Sequence, residues 1–385
     1  MRAPSEVVIL LPARDAEGTI EASLESLRSQ TFPDFRCVIV DDGSRDRTAA
    51  VVEDRIRDDP RFALVRQPPR GIASALIRAA AGSREPLIAR QDADDVSYPD
   101  RLRTQVERLR SRPEIGLVAT EIETVSEAPP TDGWRRYERW LRSCVTPREI
   151  ANNLWIESPL PHPTVVMRRG AYEAAGGYRE SGWPEDYDLW LRMRRREVRM
   201  VKIPRVLYRW SDRPGRASRN RPEYGSERFL ECRAHHLTRY LGPREAVIWG
   251  AGRDGRRAAR ALLAEGAKVN AFLDIDPRKI GRVAQGRPIR SALAWVEERR
   301  AELSERAGEI PEPVVRSEVR AIGLRDRGVA SPDRTSAPDP DELPALTELH
   351  PILIVAVGAS GARDLIKARL DEIGYLEGRD FLCIA

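Results

Sequence analysis

The feature that constrains this chain most is a rhythm in its first hundred residues. Short apolar runs alternate with stretches of helical period, and the runs end in turns rich in carboxylates. Glu6-Val-Val-Ile-Leu-Leu11, stopped by Pro12, has the length and continuity of a buried strand. Ile20, Leu24 and Leu27 then recur at helical spacing, with Thr19 at the N-cap position. Phe35 to Val40 is a second run, closed by Asp41-Asp42-Gly43-Ser44; Ser44 or Asp46 is placed to cap a helix carrying Ala49, Val52 and Ile56. Phe62 to Val65 reads as a third strand and Ile72 to Ala81 as an Ala-rich helix. Leu87-Ile88-Ala89 is a fourth strand, running into Asp92-Ala93-Asp94-Asp95. Strands alternating with helices predict an α/β fold, a mostly parallel sheet with helices on both faces.

The rhythm fades near residues 129–160, where Trp134, Tyr137, Trp140 and Leu141 still predict a helix laid on the core. It returns from Pro161 to Arg209, with a helix at Tyr187 to Arg196, and restarts near Gly242-Pro243. At 385 residues the chain is long enough for about two to three domains. The boundaries read as 1–225 for the first α/β domain, 226–243 for a linker and 244–385 for a second, smaller one. Residues 301–345 are rich in Pro, Asp, Arg and Ser and predict a loop or disordered insertion, with a short strand at Val314-Val315.

Composition removes several classes. Val7 to Leu11 is a clean apolar run of a strand's length, far short of the ~20 residues that span a bilayer. No charged segment followed by an apolar one opens the chain as a signal peptide would. The four cysteines (Cys37, Cys144, Cys232, Cys383) are scattered, which fits a reducing cytoplasm rather than a zinc ribbon or disulfide framework. Lys+Arg outnumber Asp+Glu by 65 to 60. That excess suggests a phosphorylated ligand, anionic lipid or nucleic acid. Only four of the bases are lysine, however, and such a skew more often reflects genome composition. Nucleic acid is not among the expected partners.

The chemistry is expected where the strands end. Open α/β sheets bind ligands outside the carboxyl ends of their strands. Asp41-Asp42 follows the second strand there, and Asp92, Asp94 and Asp95 follow the fourth. Carboxylates one residue apart in extended chain point the same way. They can share a hard divalent cation, which usually takes one or two carboxylates plus ligand phosphates. Asp41-Asp42-Gly-Ser alone would pass as a turn and helix cap. Two such clusters at one edge, with Glu185-Asp186 farther on, favour function.

Pro12-Ala-Arg-Asp15, Asp41-Asp-Gly-Ser44, Asp92-Ala-Asp-Asp95 and Glu185-Asp186-Tyr-Asp188-Leu-Trp190, in that order, resemble a family 2 glycosyltransferase of the GT-A fold. Ile88 to Asp95, Pro99-Asp-Arg-Leu102, Gln105, Pro161-His-Pro-Thr164 and Gly176-Gly-Tyr178 are similar to the branch that builds bacterial surface polysaccharides. The resemblance spans roughly residues 5–220. It implies a nucleotide-sugar donor, usually UDP-linked, contacted by Pro12, Arg14, Asp15, Asp41, Asp42 and Asp92. It implies a divalent cation, Mn2+ or Mg2+, on Asp94 and Asp92, and Asp186 as the base that activates a hydroxyl of a glycan or lipid-linked glycan, inverting the anomeric centre. Glu185, Trp183, His162 and Arg213 fall near the acceptor or the loop beside it. A hexosyltransferase is expected, cytoplasmic or peripheral at the inner face of the membrane. The chain departs from the pattern at Ile77, where the branch usually has Asn, and at Ser211-Asp212, where relatives often have histidine. From the residues alone Asp186 could also be a helix cap, His162 a structural histidine and Trp183 a core side chain.

In the second half Gly250-x-Gly252-x-x-Gly255 follows a strand and opens a helix, and Asp274 closes the next strand. This is the context of a dinucleotide turn, with glycines for a diphosphate and Asp274 for ribose hydroxyls. The segment resembles Rossmann-like domains appended to sugar-modifying enzymes, so NAD or a nucleotide-sugar is the ligand expected there. The same glycines would also serve tight strand–helix packing alone, and no Tyr-x-x-x-Lys accompanies them. Two other classes compete for the whole chain: a sugar nucleotidyltransferase, whose glycine-rich basic first turn is missing at Pro12-Ala-Arg-Asp15, and a non-catalytic nucleotide-sugar sensor. An enzyme bifunctional through its second half is a further reading.

Overall fold

The structure, a computed structural model, describes residues 5–126, 129, 131–213, 221–309, 351–358 and 361–384. Val314-Val315 and nearly all of the expected insertion lie outside them; residues 301–309 belong to the helix Ala292–Glu309. The chain divides into two compact units, one taking in the residues up to Ile150 and Ser158–Cys232, the other Ala151–Glu157 and the residues from Arg233. The stretch expected as a linker carries the helix Ser226–Leu241.

The first unit is built on eight strands: β1 Val7–Ala13, β2 Phe35–Asp42, β3 Phe62–Gln67, β4 Leu87–Arg90, β5 Val96–Ser97, β6 Ile115–Ser126, β7 Val166–Arg168 and β8 Arg199–Asp212. Their order is β3-β2-β1-β4-β7-β6-β8-β5. β1, β2, β3 and β4 run parallel, as do β6 and β8, while β7 lies antiparallel between β4 and β6. The first run makes a central strand because it is apolar on both faces. Val7 to Leu11 are wholly buried between β2 and β4, each worth about 1.5–3 kcal/mol of burial. Ile20, Leu24 and Leu27, on the helix Ile20–Arg28, close the same core. Thr19 occupies the N-cap position, but its hydroxyl donates to the carbonyl of Ala16 instead of capping a backbone N–H.

Register delivers the carboxylates to one place. Ala13 pairs with Asp41, Asp42 with Gln67 and Leu10 with Arg90, so the acidic turns after β1, β2 and β4 emerge at the same edge. The turns after β1 and β2 are laced together. The N–H of Asp15 donates to Ser44 Oγ (3.0 Å) and that of Ala16 to Thr48 Oγ1 (2.7 Å), while Asp15 Oδ1 accepts from the N–H of Arg45 (2.8 Å).

The second unit carries a six-stranded sheet of β9 Glu245–Trp249, β10 Lys268–Asp274, β11 Val283–Ala284, β12 Arg287–Ser291, β13 Ile352–Val355 and β14 Phe381–Cys383, in the order β11-β12-β10-β9-β13-β14. All its pairings are parallel except that of β11 with β12. Its core gathers Val247, Trp249, Leu273, Leu353, Val355 and Phe381. No helix among the described residues is long and apolar enough to cross a membrane.

Candidate active site

The carboxylates at the edge of the first sheet fall into three physical situations. Those after β1 and β2 accept from backbone N–H groups and side chains of the neighbouring turns. Asp42 is buried; its Oδ1 accepts from Gln67 Nε2 (2.8 Å) and the N–H of Arg70 (2.7 Å), its Oδ2 from the N–H of Gly71 (2.8 Å). Arg14 adds an ion pair at 3.6 Å. Asp42 therefore clamps the loop that follows β3. Asp41 does the same for its own turn, accepting from Ser44 N–H (3.2 Å) and from the Ser44 hydroxyl. Asp15 has a left-handed backbone (φ 48°), a conformation a non-glycine residue adopts at a cost. The lacing of the two turns compensates it.

The second situation is the cluster after β4. Ligand oxygens of Asp92, Asp94 and Asp95 lie within 4.8 Å of one another. Asp95 is fully buried and accepts from the N–H of Ser211 (2.7 Å), which ties the cluster to the end of β8. That contact gives Ser211, one of the departures from the family pattern, a backbone role. Asp92 Oδ1 accepts from the guanidinium of Arg90 at 2.6 Å. An all-carboxylate donor set of this size suits a hard divalent cation better than a soft one.

The third is the Glu185–Asp186 pair, which opens the helix Glu185–Arg195. The N-cap position belongs to Pro184, so Asp186 lies inside the first turn and is not the cap that its sequence context also allowed. Asp186 is half-buried and accepts from the N–H of Tyr187 (2.7 Å). Burial raises its pKa to about 6, and the adjacent Glu185 carboxylate adds to the rise. Glu185 is buried. Desolvation works against its charge, yet His162 Nδ1 at 3.3 Å and the Tyr224 hydroxyl at 2.6 Å hold its pKa below the ordinary range. Two adjacent carboxyls are thus pushed apart, one firmly ionised and one titrating near neutrality. That is a common arrangement for a general base. Atoms of His162, Glu185 and Asp186 also lie within 4.8 Å of one another. Both ring nitrogens of His162 are engaged by protein groups, which makes the trio a poor metal site.

Of the remaining expected residues, Pro12 is the penultimate residue of β1, two positions before Arg14. Trp183 is half-buried and Arg213 exposed. Three participants were not picked out from the sequence: Arg90, Tyr224 and Gln67. Arg90 ends a strand, where a charge reads as solvent-facing, although it is wholly buried. Gln67 is the last residue of β3 and Tyr224 closes the short 3-10 turn Pro222–Tyr224, positions that no apolar period marks.

At the corresponding edge of the second sheet Asp274 is occupied by its own turn. Oδ2 accepts from Ala251 N–H (3.0 Å) and Lys279 Nζ (3.0 Å), Oδ1 from Asp276 N–H (2.9 Å). Gly250 has φ 118°, and a Cβ on Gly255 would fall 1.7 Å from the carbonyl oxygen of Gly250, so packing alone demands both. A Cβ on Gly252 would meet nothing within 4 Å.

TarS of S. aureus, solved with UDP-GlcNAc, shares this architecture with a TM-score of 0.51 at 17% identity, over 68% of this chain and 71% of that one; at this identity the likeness speaks for the fold alone. The sheet with its acidic carboxyl edge has the architecture of the GT-A fold. Residues 8–176, a little under half of the chain, match the family model described as Glycosyl transferase family 2. The amylovoran biosynthesis glycosyltransferase AmsE of Erwinia amylovora is 27% identical over 202 residues, covering 52% of this chain and 73% of that protein. The succinoglycan biosynthesis protein ExoU of Rhizobium meliloti is 32% identical over 205 residues, covering 49% of this chain and 57% of that protein.

Proposed function

We propose that this glycosyltransferase moves a sugar from a UDP-linked donor to a hydroxyl of a glycan or lipid-linked glycan in surface-polysaccharide synthesis, with inversion and with a divalent cation. The observation that carries the reading is the pair of unlike carboxylate groups at one sheet edge: an oxygen-donor cluster at Asp92–Asp95 and a raised, half-buried Asp186 joined to it through Arg90 and His162. Asp94 and Asp92 would hold Mn2+ or Mg2+, which supplies charge neutralisation at the departing diphosphate. The laced turns at Pro12, Arg14, Asp15, Asp41 and Asp42 would form a rigid rim for base and ribose. Asp186 takes the proton of the acceptor hydroxyl as that oxygen attacks the anomeric carbon from the face opposite the diphosphate. One displacement inverts the centre. With a pKa near 6, Asp186 is ionised at neutral pH and still basic enough to accept the proton. A lipid-linked acceptor would bring the protein to a membrane surface from outside the bilayer.

The test is release of nucleoside diphosphate from a panel of UDP-sugars, with and without manganese, in the presence of glycan acceptors. Manganese-dependent UDP release with an inverted product supports the reading. Absence of release from the whole panel, with the protein folded, overturns it.

A further inference from the structure

Arg90 joins the two halves of this site. It has no exposed surface, and a guanidinium only donates. Its Nε donates to His162 Nε2 (3.2 Å), Nη2 to Asp92 Oδ1 (2.6 Å), and Nη1 to the carbonyls of Leu10 (3.3 Å) and Gln91 (2.5 Å). The Tyr178 hydroxyl meets the same His162 Nε2 at 2.8 Å. A nitrogen that faces an arginine N–H must offer its lone pair. The proton of the neutral ring then belongs on Nδ1, which points at Glu185 Oε1 3.3 Å away. Glu185 Oε2 is held in turn by Tyr224.

We propose that Arg90 and His162 are a positioning pair that fixes the Glu185–Asp186 turn against Asp92, with His162 locked as the neutral Nδ1–H tautomer. The proposal rests on the reading of Asp186 as the base. The physical reason for the lock is directional. A proton on Nε2 would face the Nε–H of Arg90, donor against donor, so the imidazolium and the other tautomer both require this contact to break. Arginine is needed because one planar fork reaches His162, Asp92 and two carbonyls together; a lysine point charge cannot. The pair thereby spans from the strand that carries the aspartate cluster to the helix that carries the base, and sets the distance between them.

Two measurements on the full chain test this. The first uses protein labelled with 15N-histidine. Long-range 1H–15N correlation spectra, with His162 assigned by its loss in His162→Gln, should show a protonated Nδ1 and a bare Nε2 at pH 7.5. Arg90→Lys should admit the Nε2–H form. A native His162 found as Nε2–H or as imidazolium overturns the lock, whatever the enzyme's activity. The second uses UDP release from the donor active in the panel. His162→Gln keeps an acceptor for Arg90 and loses the donor to Glu185; His162→Asn does the reverse. Each should lower kcat by about 10–100-fold and leave the calorimetric affinity for UDP with manganese unchanged. A variant with native kcat, or one whose loss lies wholly in UDP affinity, overturns the positioning role. Arg90→Lys replaces any histidine variant that fails a thermal-melt check. If the native chain releases no UDP, the transferase reading falls, and the spectra still decide the tautomer.

Discussion

Each of the two sheets ends in a turn built from small and acidic residues, but the acids do different work. In the second unit Asp274 spends both oxygens on its own turn, on Ala251, Asp276 and Lys279, and Gly250 and Gly255 are required by close packing. In the first unit Asp186 is held at the start of a helix beside another carboxylate, and its pKa is raised rather than lowered. Asp274 goes the other way. Burial opposes its charge, but the backbone donors and Lys279 outweigh it and the pKa falls. A carboxylate stapled by its own turn is structural. One kept close to neutrality by burial and a like charge is poised to exchange a proton.

The largest effect that would break this contrast is expected at Asp186. Asp186→Asn should cut kcat by about 10²–10⁴-fold while donor binding persists; steady-state turnover and calorimetry read the two. The same variant should be more stable than the native protein at pH 8. A folded pKa raised above the unfolded value makes the ionised form a cost, present above pH 6 and lost as pH falls toward 4. Asparagine removes that cost, on the order of 1–3 kcal/mol, so the difference in melting temperature should shrink on acidification. In the native enzyme the acid limb of kcat/KM, which reports the free enzyme, should bend near pH 6.

Asp94→Ala should lower manganese-dependent turnover by about 10²-fold or more, and excess manganese should recover part of it. In the second unit Gly255→Ala should destabilise strongly, since its Cβ would collide with the backbone of Gly250; thermal melts report it. Asp42→Asn should cost about 1–3 kcal/mol, because an amide cannot accept from Gln67, Arg70 and Gly71 as a carboxylate does. The smallest effect is reserved for Gly252→Ala, where the Cβ meets open space. Stability should move by less than about 0.5 kcal/mol. A loss of UDP-sugar affinity in that variant, measured by calorimetry, would erase the contrast by giving the second turn a ligand of its own.

Much of the fold was legible in the residues. The strands at Val7, Phe35, Phe62 and Leu87 and the helix at Ile72 stand where the apolar runs and the 3.6-residue period placed them. β1, β2 and β4 are settled by burial on both faces, and the edge strand β3 and the helix by local pattern alone. β6 and β8 were less visible because their outer ends are partly exposed and mix polar with apolar residues. The acids at the strand ends were visible as candidates, because parallel strands must release their carboxyl ends at one edge.

What the chain alone determined, then, is which residues reach that edge, since alternation and register depend on neighbours in sequence and on one sheet. Only the tertiary structure decided what each acid does there. Asp42 became a clamp, Asp95 a tie to β8 and Asp186 a group of raised pKa through partners at Gly71, Ser211 and Glu185. The first two partners are far away in the chain, and the effect of the third depends on burial by the whole unit. A carboxylate's charge state is set by everything that surrounds it, and no local pattern records those surroundings.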